Sequence, residues 1–496
     1  MPVSFPARLA RLAADDPGAT ALVLVRADGR EESLTWGAFD RRVQALAGLL
    51  VRSGVSPGST VVIGYPNSLE HFVAVWACWA AGALALPLNP RMPEHERDAL
   101  LSLADPAVIL ADWGGRRTLD RTALPAAATA AGRARLPDTV SHPGKAIASG
   151  GSTGTPKIIV DPRPWSADPE RAVGELGERL GFQDARSSLV PGPLYHNMAF
   201  SWGNLALFAG QRTVVMEKFD AALLLDLVPR HAIEFMTLVP TMMQRCARLP
   251  DADRRDLSSL RGIVHSGAVC PRWVKETWLQ LVDPRIVFEA FGSTEGLGGA
   301  LIRGDEWIEH PGSVGRPDPG ALRILDERRR PVAPGETGEI FVKAGGTPSY
   351  RYVGAAPAEE TSDGWIGLGD LGRLDEDGYL HISDRRVDLI ISGGVNVYPA
   401  EVEAVLGEHP SVEDAVVIGL PDEEWGRRVH AVVQLAPDAV ASADGLGHWC
   451  RERLSPHKVP KSFGFTRELP RDAAGKIRRG ALARQTRTAA DEGSRA

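Results

Sequence analysis

The stretch "TWGAFDRRVQALAGLLVRSGVSPGSTVVIGY" (Thr35–Tyr65) decides the fold class. Its first part carries apolar residues at helical spacing, and the turn "SPGS" separates it from "TVVIGY", a short apolar run typical of a buried strand. The same alternation continues to about residue 380 through "AVILA", "IEFMTLV", "LRGIVHSG" and "RIVFEAFG". It predicts an α/β fold with layered, mainly parallel sheets and helices.

The pattern changes twice further along the chain. From "GEIFVKAGG" (338–346) the sequence predicts hairpin strands with Gly and Asp turns, which is a β-rich subdomain of the large domain. A second unit begins near Val387, where strand, turn, helix and two strands follow within about 110 residues, a plausible size for an independent domain. We therefore predict a large N-terminal domain at 1–386, a small mobile α+β domain at 387–484 and a disordered polar tail at 485–496.

Composition restricts the class of protein. The chain of 496 residues is long for one ordinary domain, and its net charge of −7 argues against a nucleic-acid binder. We expect no signal peptide, and the longest uncharged run, 72–88, is broken by a glycine and a proline, which predicts a buried helix and strand and no membrane span. A reducing, cytoplasmic location fits four cysteines without metal spacing: Cys78, Cys246, Cys270 and Cys450.

The stretch "ASGGSTGTPK" (Ala148–Lys157) is either a flexible loop or a phosphate cradle. It does not match the Walker pattern, because Lys157 follows a proline and no Ser or Thr comes after it. Glycines interleaved with Ser and Thr nevertheless allow backbone N–H groups to converge on an anion, and the hydroxyls add donors. A phosphate site is therefore chemically reasonable if companion residues exist elsewhere.

Three later stretches supply such companions. "FEAFGSTEG" (288–296) places Glu295 beside Thr294 after a predicted strand. "GLGDLGRLDEDGYLHISDRR" (367–386) contains Asp370 and Arg385. "LPRDAAGKIRR" (469–479) presents Lys476 on a glycine-flanked loop. Each stretch alone is weak, but the four in this order and spacing are highly specific.

With these motifs the sequence resembles the adenylate-forming acyl-CoA synthetases, a superfamily that includes peptide-synthetase adenylation domains and firefly luciferase. The resemblance covers nearly the whole chain. "SGGVNVYPAEVE" (392–403) and the lack of a carrier-protein domain favour the CoA-ligase branch. The loop composition is loosely similar to that of the subgroup that activates bile acids and other bulky ring systems. The resemblance implies ATP, Mg²⁺ and CoA together with a carboxylic acid, and it leaves homodimer formation open.

The resemblance also implies a nucleotide site. Glu295 would be the magnesium ligand, with Thr153 beside the same ion. Phe291 stands where tyrosine usually stacks on adenine, and its π face preserves that contact. Asp370 would bind the ribose hydroxyls with Arg385 as its partner. The remaining nucleotide residues are those of the phosphate loop, the 267–268 turn and the 292–294 turn: Ser149, Gly151, Ser152, Thr153, Gly154, Lys157, Gly267, Ala268, Gly292, Ser293 and Thr294.

Lys476 is the principal predicted catalytic residue, because a lysine that reaches both the carboxylate and the α-phosphate can orient two anions and offset their charge. Glu295 and His196 complete the catalytic set. The resemblance gives His196 a gating or packing role at the acyl pocket, a purely structural role being the alternative, and it leaves His265 unexplained. The predicted pocket lies within 197–208, 235–243 and 296–302 and includes His196, Asn197, Phe200, Met236, Gly267, Gly296 and Gly298.

The implied reaction has two halves, adenylation of the acid and transfer of the acyl group to CoA. In the family the small domain rotates about a hinge between them, so that Lys476 faces the site first and Gly393 and Gly394 then leave room for the pantetheine arm. Val387 stands where a hinge aspartate or lysine is usual, and Leu368 replaces a usual threonine. The retention of both half-reactions therefore stays open.

The substrate is predicted from the character of the pocket stretches. They carry Phe, Trp and Met, and no charged residue is evident for an amino group, so we predict a hydrophobic acid, aromatic or polycyclic. A carrier protein in place of CoA, or a variant competent in one half-reaction, is the alternative. A degenerate adenylate-binding protein is disfavoured by the joint presence of Glu295, Asp370, Arg385 and Lys476.

Overall fold

The computed structural model describes residues 2–113, 118–121, 136–150, 156–343, 350–472, 475–477 and 479–493. Its helices are, in chain order, α1 (Phe5–Asp15), α2 (Trp36–Arg52), α3 (Leu69–Ala80), α4 (Glu94–Ala104), α5 (Gly174–Arg179), α6 (Asn197–Ala209), α7 (Ala221–Arg230), α8 (Pro240–Ala247), α9 (Arg272–Leu281), α10 (Gly304–Glu309), α11 (Pro399–Gly407), α12 (Ala443–Arg451) and α13 (Arg479–Gly493). Its strands are β1 (Val3–Ser4), β2 (Thr20–Val25), β3 (Glu31–Thr35), β4 (Thr60–Gly64), β5 (Leu84–Pro87), β6 (Val108–Ala111), β7 (Thr118–Leu119), β8 (Lys145–Gly150), β9 (Pro156–Asp161), β10 (Ser166–Ala167), β11 (Ser187–Val190), β12 (Arg212–Met216), β13 (Phe235–Leu238), β14 (Gly262–Ser266), β15 (Val287–Gly292), β16 (Gly299–Arg303), β17 (Leu322–Leu325), β18 (Gly338–Lys343), β19 (Arg351–Val353), β20 (Trp365–Leu374), β21 (Leu380–Arg385), β22 (Ile390–Ser392), β23 (Val395–Val397), β24 (Val412–Asp422), β25 (Gly426–Leu435) and β26 (Ser462–Thr466).

Two large sheets form the N-terminal part of the protein. One has the strand order β16-β15-β14-β13-β11-β12-β2-β3, and every neighbouring pair from β15 to β2 is parallel. The other has the order β19-β9-β8-β5-β4-β6-β7, and it is parallel from β8 to β7. Antiparallel strands close the outer edges, where β16, β3, β9 and β19 lie. The predicted α/β fold with layered, mainly parallel sheets is confirmed.

The stretch Thr35–Tyr65 shows how the sequence builds these layers. The Thr35 hydroxyl accepts a hydrogen bond from the Ala38 amide and caps α2, which buries Phe39, Val43 and other apolar residues along one face. Strand β4 is buried from its second residue onwards. A parallel strand covered on both faces needs a continuous apolar run, which is why "TVVIG" does not alternate.

Helix α3 is a core helix. All of its residues except Glu70 are buried, and its two indole N–H groups have partners: Trp76 Nε1 donates to Asn204 Oδ1 (2.9 Å) and Trp79 Nε1 donates to the Gly144 carbonyl (2.7 Å). The uncharged run is therefore the predicted buried helix followed by β5. Among the helices of the described residues, none is both long and apolar enough to cross a membrane.

The later elements form smaller sheets. Strands β17-β18-β20-β21 make an antiparallel four-stranded sheet, which is the predicted β-rich subdomain. After it come the β22–β23 hairpin and the β24-β25-β26 sheet, which share a core with α11 and α12 around Ile390, Val402, Val433 and Leu446. We call residues 387–493 the C-terminal unit, following the predicted boundary. Helix α13 continues to Gly493, which corrects the predicted disorder for residues 485–493.

The C-terminal unit rests on helix α8. The Arg248 guanidinium, just beyond α8, donates to the Val412 carbonyl (2.8 Å), and Gln244 Nε2 donates to the Glu413 carbonyl (2.8 Å). Gly475 has φ = 75°, and a Cβ there would lie 2.1 Å from Thr241 Oγ1. Only glycine fits this approach, and the next residue along the chain is Lys476.

Candidate active site

The predicted phosphate loop connects β8 and β9. These strands pair antiparallel, with Ser149 opposite Lys157 and Gly150 opposite Pro156. The loop between them, with the predicted residues Gly151, Ser152, Thr153 and Gly154, lies outside the described residues, so their roles stay predictions. The root of the loop is described, and it places Lys157 on β9, the strand next to the edge strand β19 of the seven-stranded sheet.

Lys157 and Glu295 meet across the two large sheets. Lys157 Nζ lies 3.5 Å from Glu295 Oε1, and both side chains are largely buried. Glu295 lies in the turn that follows β15, where Gly296 adopts φ = 68° and its amide donates to the Ser293 carbonyl (3.1 Å). The turn therefore directs the predicted metal carboxylate towards Lys157.

Tyr352 was not predicted, and it lies between these two residues. Its hydroxyl donates to Glu295 Oε1 at 2.6 Å, and Lys157 Nζ lies 3.8 Å from the centroid of its ring. The only sequence signal is the short alternating run "YRYV" near the edge strand β19, which carries no information about a partner so distant in the chain.

Asp370 and Arg385 form the predicted pair. They are directly opposite each other on β20 and β21, and Arg385 Nε lies 2.7 Å from Asp370 Oδ1. Burial raises the pKa of Asp370; the charges of Arg385 and Lys476 oppose that shift, whereas Glu295 adds to it. The carboxylate is thus presented on a rigid strand and lies within electrostatic range of both Glu295 and Lys476.

Lys476 enters the same cleft from the C-terminal unit. Asp472 shapes its turn: the Lys476 amide donates to Asp472 Oδ1 (2.9 Å), and the Asp472 amide donates to the Lys476 carbonyl (2.8 Å). Desolvation in the cleft and the nearby Arg385 charge lower the pKa of Lys476, while Asp472, Asp370 and Glu295 oppose this shift. The structure therefore brings together the lysine, the ribose-site pair and the predicted metal carboxylate.

His196 lies at the junction between the two parts of the protein. Its Nε2 is 3.6 Å from Asp472 Oδ2, in the lysine-bearing turn. Burial lowers the pKa of His196 to about 4; Asp472 opposes the shift and Lys476 adds to it. The ring is therefore neutral near pH 7, which suits the packing or gating role that the sequence predicts.

The predicted adenine turns follow the carboxyl ends of β14 and β15. Gly267 has φ = 94°, and the Gly267–Ala268 turn is exposed after β14, whose neighbour β15 ends with Phe291 and Gly292. A Cβ on Gly292 would meet no atom within 4 Å. Ser293 Oγ is buried without a hydrogen-bond partner among the described residues, and Thr294 follows it. This open space beside an unpaired hydroxyl fits a bound nucleotide.

The three predicted pocket stretches converge in one apolar cluster. Phe235, Leu301 and Trp202 pack in it, and the Trp202 and Phe235 ring centroids are 5.2 Å apart. Gly296 and Gly298 are exposed in the third stretch, and Asn197 accepts a hydrogen bond from Lys145 Nζ at 3.0 Å.

Two pocket predictions are corrected. Phe200 and Met236 have no exposed surface and belong to two other core clusters. Met236 alternates with Phe235 along β13, so it faces the opposite side of the sheet. Apolar character alone does not reveal which face of a covered sheet a residue occupies.

His265, which the sequence left unexplained, belongs to a buried polar network. Lys275 Nζ lies 2.6 Å from His265 Nε2 and 3.1 Å from Glu289 Oε2, and all three side chains are buried. Burial lowers the pKa of His265, reinforced by Lys275, and burial raises the pKa of Glu289, opposed by Lys275. Because His265 and Glu289 pair across β14 and β15, the network ties helix α9 to the strands that end in the adenine turns.

The remaining predicted residues lie around the C-terminal unit. Gly393 and Gly394 form the turn of the β22–β23 hairpin with φ of 57° and 79°. A Cβ on Gly393 would lie 2.7 Å from the Trp425 ring. Val387 is exposed in the three-residue turn that joins β21 to this hairpin. Their proposed roles in CoA access and hinge motion stay predictions.

The metal donors of the site are few. Within the described ranges, no three His, Cys, Asp or Glu side chains cluster as a metal centre. Glu295 contributes a single carboxylate, and such a donor fits Mg²⁺, which commonly keeps several waters and takes substrate phosphates alongside one or two carboxylates.

Known proteins are similar to this chain over nearly its full length. Residues 9–348 match the AMP-binding enzyme family and residues 401–476 match the AMP-binding enzyme C-terminal domain. Feruloyl-CoA synthase from an Amycolatopsis species is 35% identical, with 97% of this chain and 98% of that protein covered. A fatty acid–acyl-carrier-protein ligase from Streptomyces coeruleorubidus is 29% identical, with 92% of each covered.

A solved structure shares the fold. The o-succinylbenzoate CoA synthetase of Bacillus subtilis in complex with its acyl-adenylate intermediate aligns with a TM-score of 0.80 at 29% identity, covering 97% of this chain and 98% of that one. The same enzyme in complex with ATP and a magnesium ion aligns with a TM-score of 0.79 at 28% identity, covering 96% and 98%.

Proposed function

We propose, since this chain belongs to the AMP-binding enzyme family, that it is an ATP-dependent acid–thiol ligase that joins a hydrophobic, aromatic carboxylic acid to CoA through an acyl-adenylate. The observation that carries the proposal is the meeting of Lys476, from the C-terminal unit, with Asp370, Arg385 and Glu295 from the large domain. Residues so distant in sequence lie within electrostatic range of one another, and their charges suit a nucleotide and its metal.

Each residue has a distinct task in the proposed site. Asp370, held by Arg385, accepts the ribose hydroxyls. Lys157 and the loop before it bind the outer phosphates, and Ser293 and Thr294 donate to the α-phosphate. Glu295 would hold magnesium, whose charge would offset that of the phosphates.

The first half-reaction forms the adenylate. An oxygen of the acid's carboxylate attacks the α-phosphorus of ATP, a P–O bond forms, and the bond to pyrophosphate breaks with its electron pair on the leaving oxygen. Lys476 offsets the charge of the two anions and orients the attacking oxygen. In the second half, the CoA thiolate attacks the acyl carbon, a C–S bond forms and AMP leaves.

The second half needs a different arrangement of the C-terminal unit. Lys476 lies near Asp370 and Glu295, an arrangement that suits adenylation. We propose that the unit turns about Val387, withdrawing Lys476 and bringing the Gly393–Gly394 turn to the acyl carbon. That turn has no side chains, so a narrow thiol arm can pass it.

The acid is proposed to lie against Trp202, which is partly exposed, with Gly296 and Gly298 leaving space for its ring. An aromatic acid is supported by the apolar lining and by the feruloyl-CoA synthase relative. Loading of a carrier protein is the second candidate, supported by the acyl-carrier-protein ligase among the relatives.

A panel of carboxylic acids tests the proposal. The purified protein is incubated with ATP, Mg²⁺, one acid and either CoA or a phosphopantetheinylated carrier protein, and products are identified by mass spectrometry. We expect aryl acids such as ferulate to give acyl-CoA and AMP. Turnover restricted to acetate or amino acids would contradict the substrate class, and acylation of the carrier protein alone would contradict CoA as the acceptor.

A further inference from the structure

Tyr352 contacts both charged residues at the phosphate end of the cleft. Its hydroxyl lies 2.6 Å from Glu295 Oε1, and its ring lies 3.8 Å from Lys157 Nζ. The same lysine is 3.5 Å from the same carboxylate oxygen. One side chain thus combines a hydrogen bond to the anion with a cation–π contact to the cation.

Strand pairing explains how Tyr352 reaches this position. Strand β19 adds to the edge of the seven-stranded sheet, antiparallel to β9, with Tyr352 directly opposite Ile159. Lys157 lies two residues before Ile159, so it shares a face of the sheet with Tyr352. Diagonal neighbours on one face are within reach of aromatic and long side chains, which accounts for the ring contact.

These contacts allow Tyr352 to hold Lys157 and Glu295 in place when the two charged groups separate. Without nucleotide, Lys157 and Glu295 neutralise one another. With nucleotide, the proposed roles draw Lys157 to the outer phosphates and Glu295 to magnesium, and their direct contact is lost. Tyr352 can keep both of its contacts during this change, because its ring and its hydroxyl are separate groups on one rigid side chain.

We propose that Tyr352 is a positioning residue of the nucleotide site: its hydroxyl fixes the Glu295 carboxylate for the metal, and its ring fixes the Lys157 ammonium for the phosphates. This inference rests on the proposed function, because it takes Glu295 as the metal carboxylate.

The test measures equilibrium ATP binding by calorimetry over a series of free Mg²⁺ concentrations, with no acid and no CoA present. Tyr352→Phe removes the hydroxyl and keeps the ring. We expect the Mg²⁺ concentration that half-saturates ATP binding to rise about 10- to 100-fold, the usual effect of losing a partner that orients a metal ligand. ATP affinity at saturating Mg²⁺ should stay within about twofold of the wild type, because the ring over Lys157 is retained.

Tyr352→Leu removes both contacts. It should show the same shift in Mg²⁺ dependence and, in addition, weaker ATP binding at saturating Mg²⁺, by about fivefold, since a cation–π contact at a partly exposed site contributes about 1 kcal/mol. A difference between the two variants at saturating Mg²⁺ therefore isolates the function of the ring.

Tyr379→Phe is the matched control. The Tyr379 hydroxyl also donates to a carboxylate, Glu306 Oε1 at 2.7 Å, and its ring also carries a cation, the Arg316 guanidinium at 4.8 Å. The Tyr379→Phe variant loses the same kind of hydrogen bond outside the nucleotide site. The Mg²⁺ dependence of its ATP binding should therefore match that of the wild type.

The outcomes separate the two proposals. Wild-type protein that binds no ATP in the presence of Mg²⁺ would overturn the proposed function, and the role of Tyr352 with it. Wild-type binding together with an unshifted Mg²⁺ dependence in Tyr352→Phe would overturn the role of Tyr352 alone. Equal shifts in Tyr352→Phe and Tyr379→Phe would show a structural effect and would also overturn it.

Discussion

Arg386 and Asp388, the two neighbours of Val387, are ion-paired to different parts of the molecule. Arg386 Nη1 lies 2.9 Å from Glu339 Oε2 on the four-stranded sheet, and Asp388 Oδ2 lies 3.1 Å from Arg479 Nη1 at the start of the C-terminal helix. Val387 between them is 57% exposed. The chain therefore has one weakly held residue between two anchored ones, which is the arrangement that a hinge needs.

The first prediction is that Val387→Pro separates the two half-reactions. Proline fixes φ at about −65°, a value that a residue of the helical turn at 386–388 can adopt, so rotation at this point is hindered. Pyrophosphate exchange should stay within about twofold of the wild type, and thioester formation from a synthetic adenylate should fall at least about tenfold.

Val440→Pro is the control for this substitution, because Val440 is 90% exposed in a loop of the C-terminal unit. It should change neither assay. Equal loss of both activities in Val387→Pro would show that the residue is not a hinge between them. The wild-type rates of the two assays also show whether the protein with valine at this position retains both half-reactions.

The second prediction concerns Lys476. Lys476→Ala should lower pyrophosphate exchange by about 100-fold or more, because a preorganised charge at the reacting centre is lost. Thioester formation from the synthetic adenylate should be retained, since Lys476 is proposed to leave the cleft for that step. Lys458→Ala removes another lysine of the same unit, paired with Glu401 at 2.6 Å, and should affect neither assay. Loss of both activities in Lys476→Ala would contradict the division of roles.

The third prediction concerns the buried network beneath the adenine turns. Lys275→Met leaves Glu289 buried without its cation, and the free energy of unfolding should fall by about 3–5 kcal/mol. The double variant Lys275→Met/Glu289→Leu should recover most of this loss, because an apolar pair of similar volume removes the uncompensated charge. Urea denaturation measures both. Arg272→Ala on the same helix removes an exposed pair with Glu276 and should leave the urea midpoint unchanged. If the double variant lost more unfolding free energy than Lys275→Met, an uncompensated buried charge on Glu289 would not be the cause.

Local patterns were sufficient to predict the elements and part of the site. Continuous apolar runs identify β4 and β13 because parallel strands covered on both faces need them. The resemblance implies Arg385 as the partner of Asp370, and the structure pairs the two across the β20–β21 hairpin. These inferences depend on residues that are close in sequence or on motifs with fixed spacing.

Contacts between distant segments could not be predicted in the same way. Tyr352 meets Lys157 only because β19 adds to the edge of a sheet formed much earlier in the chain. The Asp472–His196 contact depends on how the C-terminal unit rests on α8. The wrong prediction that Met236 lines the pocket has a related cause. Both faces of its sheet are covered by apolar layers, so the sequence of β13 does not show which residues face which side.

The last prediction concerns acid sensitivity through His71. His71 is fully buried in α3, its Nδ1 lies 3.1 Å from the Tyr65 carbonyl, and burial lowers its pKa from 6.5 to about 4, an effect that this hydrogen bond opposes. The unfolded chain therefore binds the proton more readily than the folded one. The stability contributed by the neutral ring is fully present above about pH 6.5 and is lost as the pH falls towards about 4, up to about 3 kcal/mol.

His71→Gln removes this titration. The stability difference between wild type and variant should shrink as the pH falls through that window, and it should be constant above it. Urea midpoints followed by the fluorescence of Trp76 and Trp79, in the same helix, report on this core. His448→Gln, at an exposed position, should give a curve parallel to that of the wild type. A parallel curve for His71→Gln as well would mean that His71 does not cause the acid sensitivity, because a buried neutral histidine must gain its proton on unfolding within this range.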